Sequence, residues 1–196
     1  MHEEFKEEVA ALAHTRLKDV RENQVVFYGS SSFRLWETLS EDFPELDVIN
    51  LAFGGSKIID CSYYYDSLLG QTKPSKIIFY AGDNDIADEA SAETILQRFK
   101  DFLQKVDSQF PEVPLTFLSI KPSPIRAQML PTIQKTNELI NAFLETRNNR
   151  TYLDIHFAML SEGNVRPELF TEDELHMNPD GYSIWTAILR KHLLLD

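Results

Sequence analysis

The sequence has 196 residues, 43% of them hydrophobic, and its 13 Phe, 7 Tyr and 2 Trp supply enough bulk for one sizeable core. A net charge of -12, with Lys and Arg scattered along the chain, excludes the basic footprint of a nucleic-acid-binding protein. The single cysteine, Cys61, excludes an intrachain disulfide and a cysteine-based zinc site. We therefore expect one domain, residues 1–196, acting on a neutral small molecule, with the oligomeric state left open.

The opening segment predicts an amphipathic helix within residues 1–20, packed on the rest of the domain. Its apolar positions are Phe5, Val9, Leu12, Leu17 and Val20. The N-terminus lacks the basic start and apolar run of a secretory signal, and no apolar stretch approaches the roughly 18 residues of a membrane span. We expect a soluble, cytoplasmic protein.

Short runs of β-branched and aromatic residues alternate with helical patterns along the chain. The runs that predict strands are 24–28, 46–51, 76–80, 115–119 and 151–155. Apolar spacings of three and four predict helices from Ile95 to Phe110 and from Met129 to Phe143. A last helix is predicted with Asn178 as N-cap and Pro179 in its first turn. The alternation predicts an α/β fold, a three-layer α/β/α sandwich around a parallel five-stranded sheet with the flavodoxin-like order 2-1-3-4-5.

Ligands of such a sheet bind beyond the carboxyl ends of the strands, and three of the loops there carry polar or glycine residues. They are Gly29–Ser32, Ala52–Ser56 and Ala81–Asp85. Each also has an ordinary interpretation, as a helix cap, a glycine turn and a polar turn respectively. A divalent metal on the aspartates of the third loop is disfavoured because the chain shows no second ligand cluster; these aspartates are Asp83, Asp85 and Asp88.

Asp173 and His176 lie three residues apart, just before the last helix. This spacing lets the carboxylate accept a hydrogen bond from the imidazole Nδ1–H, which leaves Nε2 free as a general base for a serine hydroxyl. A surface acidic loop with a chance histidine is an equal alternative for the motif alone. The other histidines have less suitable surroundings; they are His2, His14, His156 and His192. The pair predicts a serine nucleophile in the first loop, although the residues alone do not choose among its three serines.

Four blocks of the sequence, taken together and in this order, resemble the SGNH hydrolases, also called the GDSL family of esterases and lipases. The blocks are Gly29–Ser31, Asn50–Gly55, Gly82–Asp85 and Asp173–His176. The resemblance extends from about residue 25 to residue 190, which is most of the chain. No block is specific by itself, but their conjunction is.

The resemblance implies hydrolysis of carboxylic esters through an acyl-enzyme, with no cofactor and no metal. It makes Ser31 the nucleophile, His176 the base and Asp173 the carboxylate that orients the base. It also implies an oxyanion hole formed by the backbone N–H groups of Ser31 and Gly55 and the side-chain amide of Asn84.

One position departs from the family pattern. Ser30 stands where the family usually has Asp, a residue outside the triad, so the residues expected to react are all present. The chain also lacks the Gly-x-Ser-x-Gly elbow of α/β-hydrolases, because Phe33 stands in place of the second glycine.

Two other functions remain open at this point. In a flavodoxin-like binding module, the first loop would cradle a phosphate and one residue of Tyr63–Tyr65 would stack on a flavin. In the second alternative, a relative of the hydrolases binds acylated ligands without turnover. The tyrosines and Phe170 could line an acyl or sugar pocket, although aromatic residues more often serve as packing elements.

Overall fold

The computed structural model describes residues 3–195, and in this part of the chain a parallel five-stranded sheet lies between two layers of helices. The strands of the sheet are β1 Glu22–Gly29, β2 Val48–Asn50, β3 Lys73–Tyr80, β4 Leu115–Leu118 and β5 Arg150–Leu153. Their order is β2-β1-β3-β4-β5, and every pairing is parallel. The predicted fold class and strand order are confirmed.

Helices cover both faces of the sheet, and a short antiparallel hairpin follows β5. The helices are α1 Lys6–Arg16, α2 Ser31–Arg34, α3 Leu39–Asp42, α4 Ile58–Tyr63, α5 Asp83–Ala87, α6 Ala92–Gln109, α7 Leu130–Leu144 and α8 Pro179–His192. The hairpin strands are β6 Leu160–Ser161 and β7 Asn164–Val165. One face packs against α4, α6 and α7, and the other packs against α2, α3 and α8.

The central strand β1 shows why the sheet needs two layers of helices. Val26 and Tyr28 point into one hydrophobic cluster, whereas Val25 and Phe27 point into the other. Side chains of a strand alternate between its faces, so a run of apolar residues is stable only when both faces are covered. The strand is therefore buried on both faces, and the residues that follow it lie at the carboxyl edge of the sheet.

The opening helix is shorter than the sequence pattern predicts. Helix α1 ends at Arg16, a 3₁₀ turn covers Leu17–Asp19, and Val20 is extended. Its apolar side chains nevertheless pack on the core, because Val9 is buried and Phe5 meets Phe53 edge to face at a ring-centroid distance of 5.4 Å. The predicted segment also includes residues 1 and 2, which lie outside the described residues.

The last helix begins as its sequence predicts. The Asn178 side chain accepts hydrogen bonds from the N–H groups of Asp180 and Gly181, and Pro179 occupies the first turn. Trp185 and Leu189 anchor the helix in the core. Within residues 3–195, no helix is long and apolar enough to cross a membrane.

Candidate active site

The first of the polar loops begins directly where β1 ends. Gly29 has a φ of 144°, and a Cβ at this position would lie 1.9 Å from the carbonyl oxygen of Tyr80 on the neighbouring strand. Only glycine fits here, and the chain then turns at once into α2, whose first residue is Ser31. Ser31 is buried, with 7% of its surface exposed, and it follows β1 directly at the carboxyl edge of the sheet.

His176 lies between Ser31 and Asp173. Its Nε2 atom is 3.0 Å from Ser31 Oγ, and its Nδ1 atom is 2.6 Å from Asp173 Oδ2. A carboxylate can only accept at Nδ1, so Nδ1 carries a proton and Nε2 is free to accept one from the serine. The structure thus brings together the three residues that the sequence predicts as nucleophile, base and orienting carboxylate.

Asp173 also organises its own loop. Its second oxygen, Oδ1, accepts from the Thr171 hydroxyl at 2.7 Å and from the N–H groups of Leu175 and His176, each at 2.9 Å. Burial raises the pKa of Asp173, but these hydrogen bonds and the one from the imidazole outweigh it and hold the pKa far below its usual range. The carboxylate is therefore ionised under all conditions in which a histidine base works.

Gly55 and Asn84 lie next to each other. A Cβ built on Gly55 would lie 3.7 Å from Asn84 Nδ2, so the backbone of Gly55 faces the amide directly. Asn84 Nδ2 in turn donates to Ser30 Oγ at 2.9 Å. No hydrogen bond from the N–H groups of Ser31 and Gly55 occurs within residues 3–195. The loops that carry the predicted oxyanion donors therefore lie next to one another, since Asn84 is close both to Gly55 and to Ser30, the neighbour of Ser31.

The Asn84 amide is supported by charged residues that sequence reasoning missed. Arg126 Nη2 donates to Asn84 Oδ1 at 2.9 Å, and Arg126 Nη1 lies 3.0 Å from Asp83 Oδ2. Lys121 Nζ is 3.4 Å from the same carboxylate oxygen. Burial raises the pKa of Asp83, but the two cations outweigh it and lower the pKa below its ordinary value. Burial lowers the pKa of Lys121, although Asp83 opposes that change.

A sequence model of the GDSL-like lipase and acylhydrolase family matches residues 24–184, which is more than half of the chain. The chain belongs to this family. It is therefore a hydrolase that acts on ester bonds, as the four sequence blocks predict. A search among curated proteins finds no match to the sequence.

Solved structures have the same fold as this hydrolase. A Streptococcus pneumoniae protein described as a candidate platelet activating factor is 20% identical, with a TM-score of 0.86 over 97% of this chain and 93% of that one. A GDSL-like lipase from Bacteroides thetaiotaomicron is also 20% identical, with a TM-score of 0.75 over 98% and 97%. A carbohydrate esterase of family 3 from Talaromyces cellulolyticus is 16% identical, with a TM-score of 0.73 over 88% and 96%. At these identities the likeness concerns the fold.

The other described histidines of the hydrolase lie in different surroundings. His14 Nε2 is 2.9 Å from Lys18 Nζ, and His192 Nε2 is 3.0 Å from Thr116 Oγ1. His156 is buried with Nδ1 3.0 Å from the Ile120 carbonyl oxygen, and burial lowers its pKa. Within residues 3–195, the imidazole rings of these three histidines form no hydrogen bond to a serine, and His2 lies outside the described residues.

The three aspartates considered for a metal each have a cationic partner of their own. Asp85 pairs with Arg98 at 2.6 Å, and Asp88 pairs with Lys57 at 2.7 Å. Asp83 pairs with Lys121 and Arg126. Their carboxylates point to three separate places. In residues 3–195, no group of His, Cys, Asp and Glu side chains converges as metal ligands would.

Most of the aromatic residues considered as pocket walls pack in the interior. Tyr64, Tyr65 and Phe170 are buried, while Tyr63 is 58% exposed. Among these four aromatic residues, Tyr63 alone has an exposed side chain, and its ring packs edge to face on Tyr64. Cys61 is also buried, and burial raises its pKa far above the usual range, so the thiol is a core residue.

Proposed function

We propose that this hydrolase cleaves carboxylic esters through a Ser31–His176–Asp173 triad and a covalent acyl-enzyme. The observation that carries the proposal is the continuous chain of hydrogen bonds from Ser31 through His176 to Asp173. A nucleophile, a base and an orienting carboxylate joined in this sequence are the recurring arrangement of serine hydrolases on unrelated folds.

In the first half of the reaction, Ser31 Oγ attacks the ester carbonyl carbon while its proton passes to His176 Nε2. Negative charge collects on the former carbonyl oxygen, and the N–H groups of Ser31 and Gly55 and the amide of Asn84 stabilise it. The bond to the alcohol oxygen then breaks, and the proton on His176 Nε2 passes to that oxygen. The alcohol leaves, and the acyl group stays on Ser31.

In the second half, water replaces the alcohol. His176 takes a proton from the water as the water oxygen attacks the acyl carbon, and the same donors hold the second oxyanion. The bond to Ser31 Oγ breaks, Ser31 recovers its proton from His176, and the carboxylic acid leaves. Asp173 stays ionised throughout and stabilises the imidazolium that forms in each half.

The test is a panel of p-nitrophenyl esters of increasing acyl length, assayed with the wild type, Ser31→Ala and Ser32→Ala. We expect kcat to fall by at least about a thousandfold in Ser31→Ala because, within residues 3–195, no other hydroxyl forms a hydrogen bond with His176 Nε2. Ser32→Ala is the matched control and should stay within about threefold of the wild type. Mass spectrometry after treatment with an aryl phosphonate should find the adduct on Ser31.

Two results would contradict the proposal. Retained activity in Ser31→Ala, with the loss in a neighbouring serine variant, would move the nucleophile to another residue of the loop. Binding of an acyl ester that stays intact over long incubation would identify a protein that holds acylated ligands without hydrolysing them.

A further inference from the structure

The guanidinium of Arg126 lies directly behind the Asn84 amide. Arg126 belongs to a 3₁₀ segment, Pro124–Met129, and its backbone departs from helical geometry with a φ of -111° and a ψ of 20°. The side chain is 11% exposed and joins Asn84 to Asp83, with Nη2 2.9 Å from Asn84 Oδ1 and Nη1 3.0 Å from Asp83 Oδ2. Nη2 is therefore held by a hydrogen bond to Asn84, whereas Nη1 is an ion-pair neighbour of Asp83 without a hydrogen bond.

This contact decides which way the Asn84 amide faces. A guanidinium has only donors, so the amide must turn its oxygen toward Arg126 and its nitrogen toward Ser30. One proton of Nδ2 is then used by Ser30 Oγ at 2.9 Å, while the other has only a long contact to the Ser56 carbonyl oxygen at 3.4 Å. That second proton is available to a substrate oxygen. A positive charge on the amide oxygen also withdraws electron density from the nitrogen and strengthens its N–H groups as donors.

We propose that Arg126 is a positioning residue for catalysis, which orients and polarises the Asn84 amide so that the N–H group not bonded to Ser30 stabilises the oxyanion. This inference rests on the proposed function, since it assigns a support to one of the oxyanion donors. Asp83 holds the guanidinium in place, and Asp83 is itself fixed by Lys121.

The surroundings of Arg126 argue against a direct role in binding an anionic substrate. Its Nη1 atom is buried and makes no hydrogen bond, and its Nη2 atom donates to Asn84. The charge of the guanidinium is compensated by Asp83 at 3.0 Å. A substrate carboxylate would have to displace both partners, whereas the amide beside it is already placed at the site.

The experiment is a double-mutant cycle of Arg126→Met and Asn84→Ala, with kcat and KM measured on the ester that the wild type hydrolyses fastest. In the wild-type background, we expect Arg126→Met to lower kcat by about 10- to 100-fold and to change KM by less than about threefold. In the Asn84→Ala background, Arg126→Met should lower kcat by less than about threefold, because the amide that Arg126 supports is gone. The kcat of Arg126→Lys should lie between those of the wild type and Arg126→Met, because an ammonium cannot bridge both Asn84 and Asp83.

Arg98→Met is the matched control. Arg98 pairs with Asp85 at 2.6 Å, on the residue next to Asn84, but has no contact with the amide. Its loss should lower the urea midpoint of unfolding while kcat stays within about threefold of the wild type. Circular dichroism and urea unfolding of the Arg126 variants establish that they are folded.

An equal loss of kcat in both backgrounds of the cycle would overturn the inference and leave Arg126 with a structural role. A rise in KM at unchanged kcat would overturn it in favour of substrate binding. A readout without turnover separates this inference from the proposed function. The Asn84 side-chain amide signals in a ¹⁵N NMR spectrum, identified by their loss in Asn84→Ala, should move in Arg126→Met and stay in place in Arg98→Met. Unmoved signals would overturn the positioning role, whereas a wild type without esterase activity would overturn the proposed function.

Discussion

Replacing Asp173 by Asn tests how the catalytic base is oriented. Oδ1 accepts three hydrogen bonds from fixed donors, namely the Thr171 hydroxyl and the N–H groups of Leu175 and His176. An asparagine must therefore keep its carbonyl oxygen at that position and place its NH₂ group where Oδ2 stood, 2.6 Å from His176 Nδ1. Nδ1 then becomes an acceptor, and the ring proton moves to Nε2.

An imidazole in that tautomer donates to Ser31 instead of accepting its proton. The expected loss in kcat is about ten thousandfold, the size found when a triad aspartate is replaced in this way, which corresponds to about 5 kcal/mol of transition-state stabilisation. The loss of stability should be much smaller, under about 1 kcal/mol, because three of the four hydrogen bonds survive and the carboxylate is 49% exposed.

The assay is steady-state hydrolysis of a p-nitrophenyl ester together with urea unfolding of the same samples. Thr171→Val is the matched control, since it removes one hydrogen bond to Asp173 without affecting the tautomer, and it should cost less than about tenfold in kcat. If Asp173→Asn retained kcat within tenfold of the wild type, the carboxylate would not be the group that orients the base.

Three further outcomes are expected. Asn84→Ala should lower kcat by about a hundredfold with little change in the urea midpoint, and an unchanged kcat would remove the amide from the oxyanion hole. Because the pKa of Asp173 is held far below its usual range, protonation of Asp173 should add no second step to the fall of kcat/KM at acid pH, and a fall that follows the uptake of two protons would contradict this. Gly29→Ala should destabilise the fold by at least about 3 kcal/mol in urea unfolding, since its Cβ would overlap the Tyr80 carbonyl, whereas Gly163→Ala, with open space around it, should cost about 1 kcal/mol.

The fold followed from the sequence because its determinants are local. Short apolar runs such as residues 77–80 of β3 predict strands, the apolar spacing of residues 92–109 predicts a helix, and the alternation of the two leaves few topologies. The prediction for the opening segment was less accurate. Its apolar spacing continues to Val20, but the helix ends at Arg16 because the apolar residues that follow pack on the core from a 3₁₀ turn and an extended residue.

In the candidate site, too, some features could be predicted from the sequence and others could not. Asp173 and His176 were recognisable from the residues because both lie in one turn. The choice among the three serines depends on where each side chain points in a tight turn, and there the geometry separates Ser31, beside His176, from Ser30, beside Asn84. The catalytic roles of these residues stay predictions.

Arg126 gave no signal in the sequence, because a single arginine 42 residues from Asn84 has no local pattern that links the two. In the sequence, the loop between β4 and the following helix reveals which residues it contains, but not which other loop they contact. Its contact with the amide exists because β3 and β4 are neighbours in the sheet, so the loops that follow them meet at the carboxyl edge. Such contacts become visible once strand order is known.

Ser31 and His176 are 145 positions apart in the sequence, so the proposed catalysis would report on complete folding. The serine is delivered by the central strand, whereas the histidine lies just before the last helix, which is anchored in the core by Trp185 and Leu189. A chain in which that helix has undocked would keep most of its sheet and its far-ultraviolet spectrum, yet it would have lost the base. Loss of esterase activity in mild denaturant should therefore precede the loss of secondary structure if the last helix opens as a separate unit, and the two should coincide if the domain unfolds in one step.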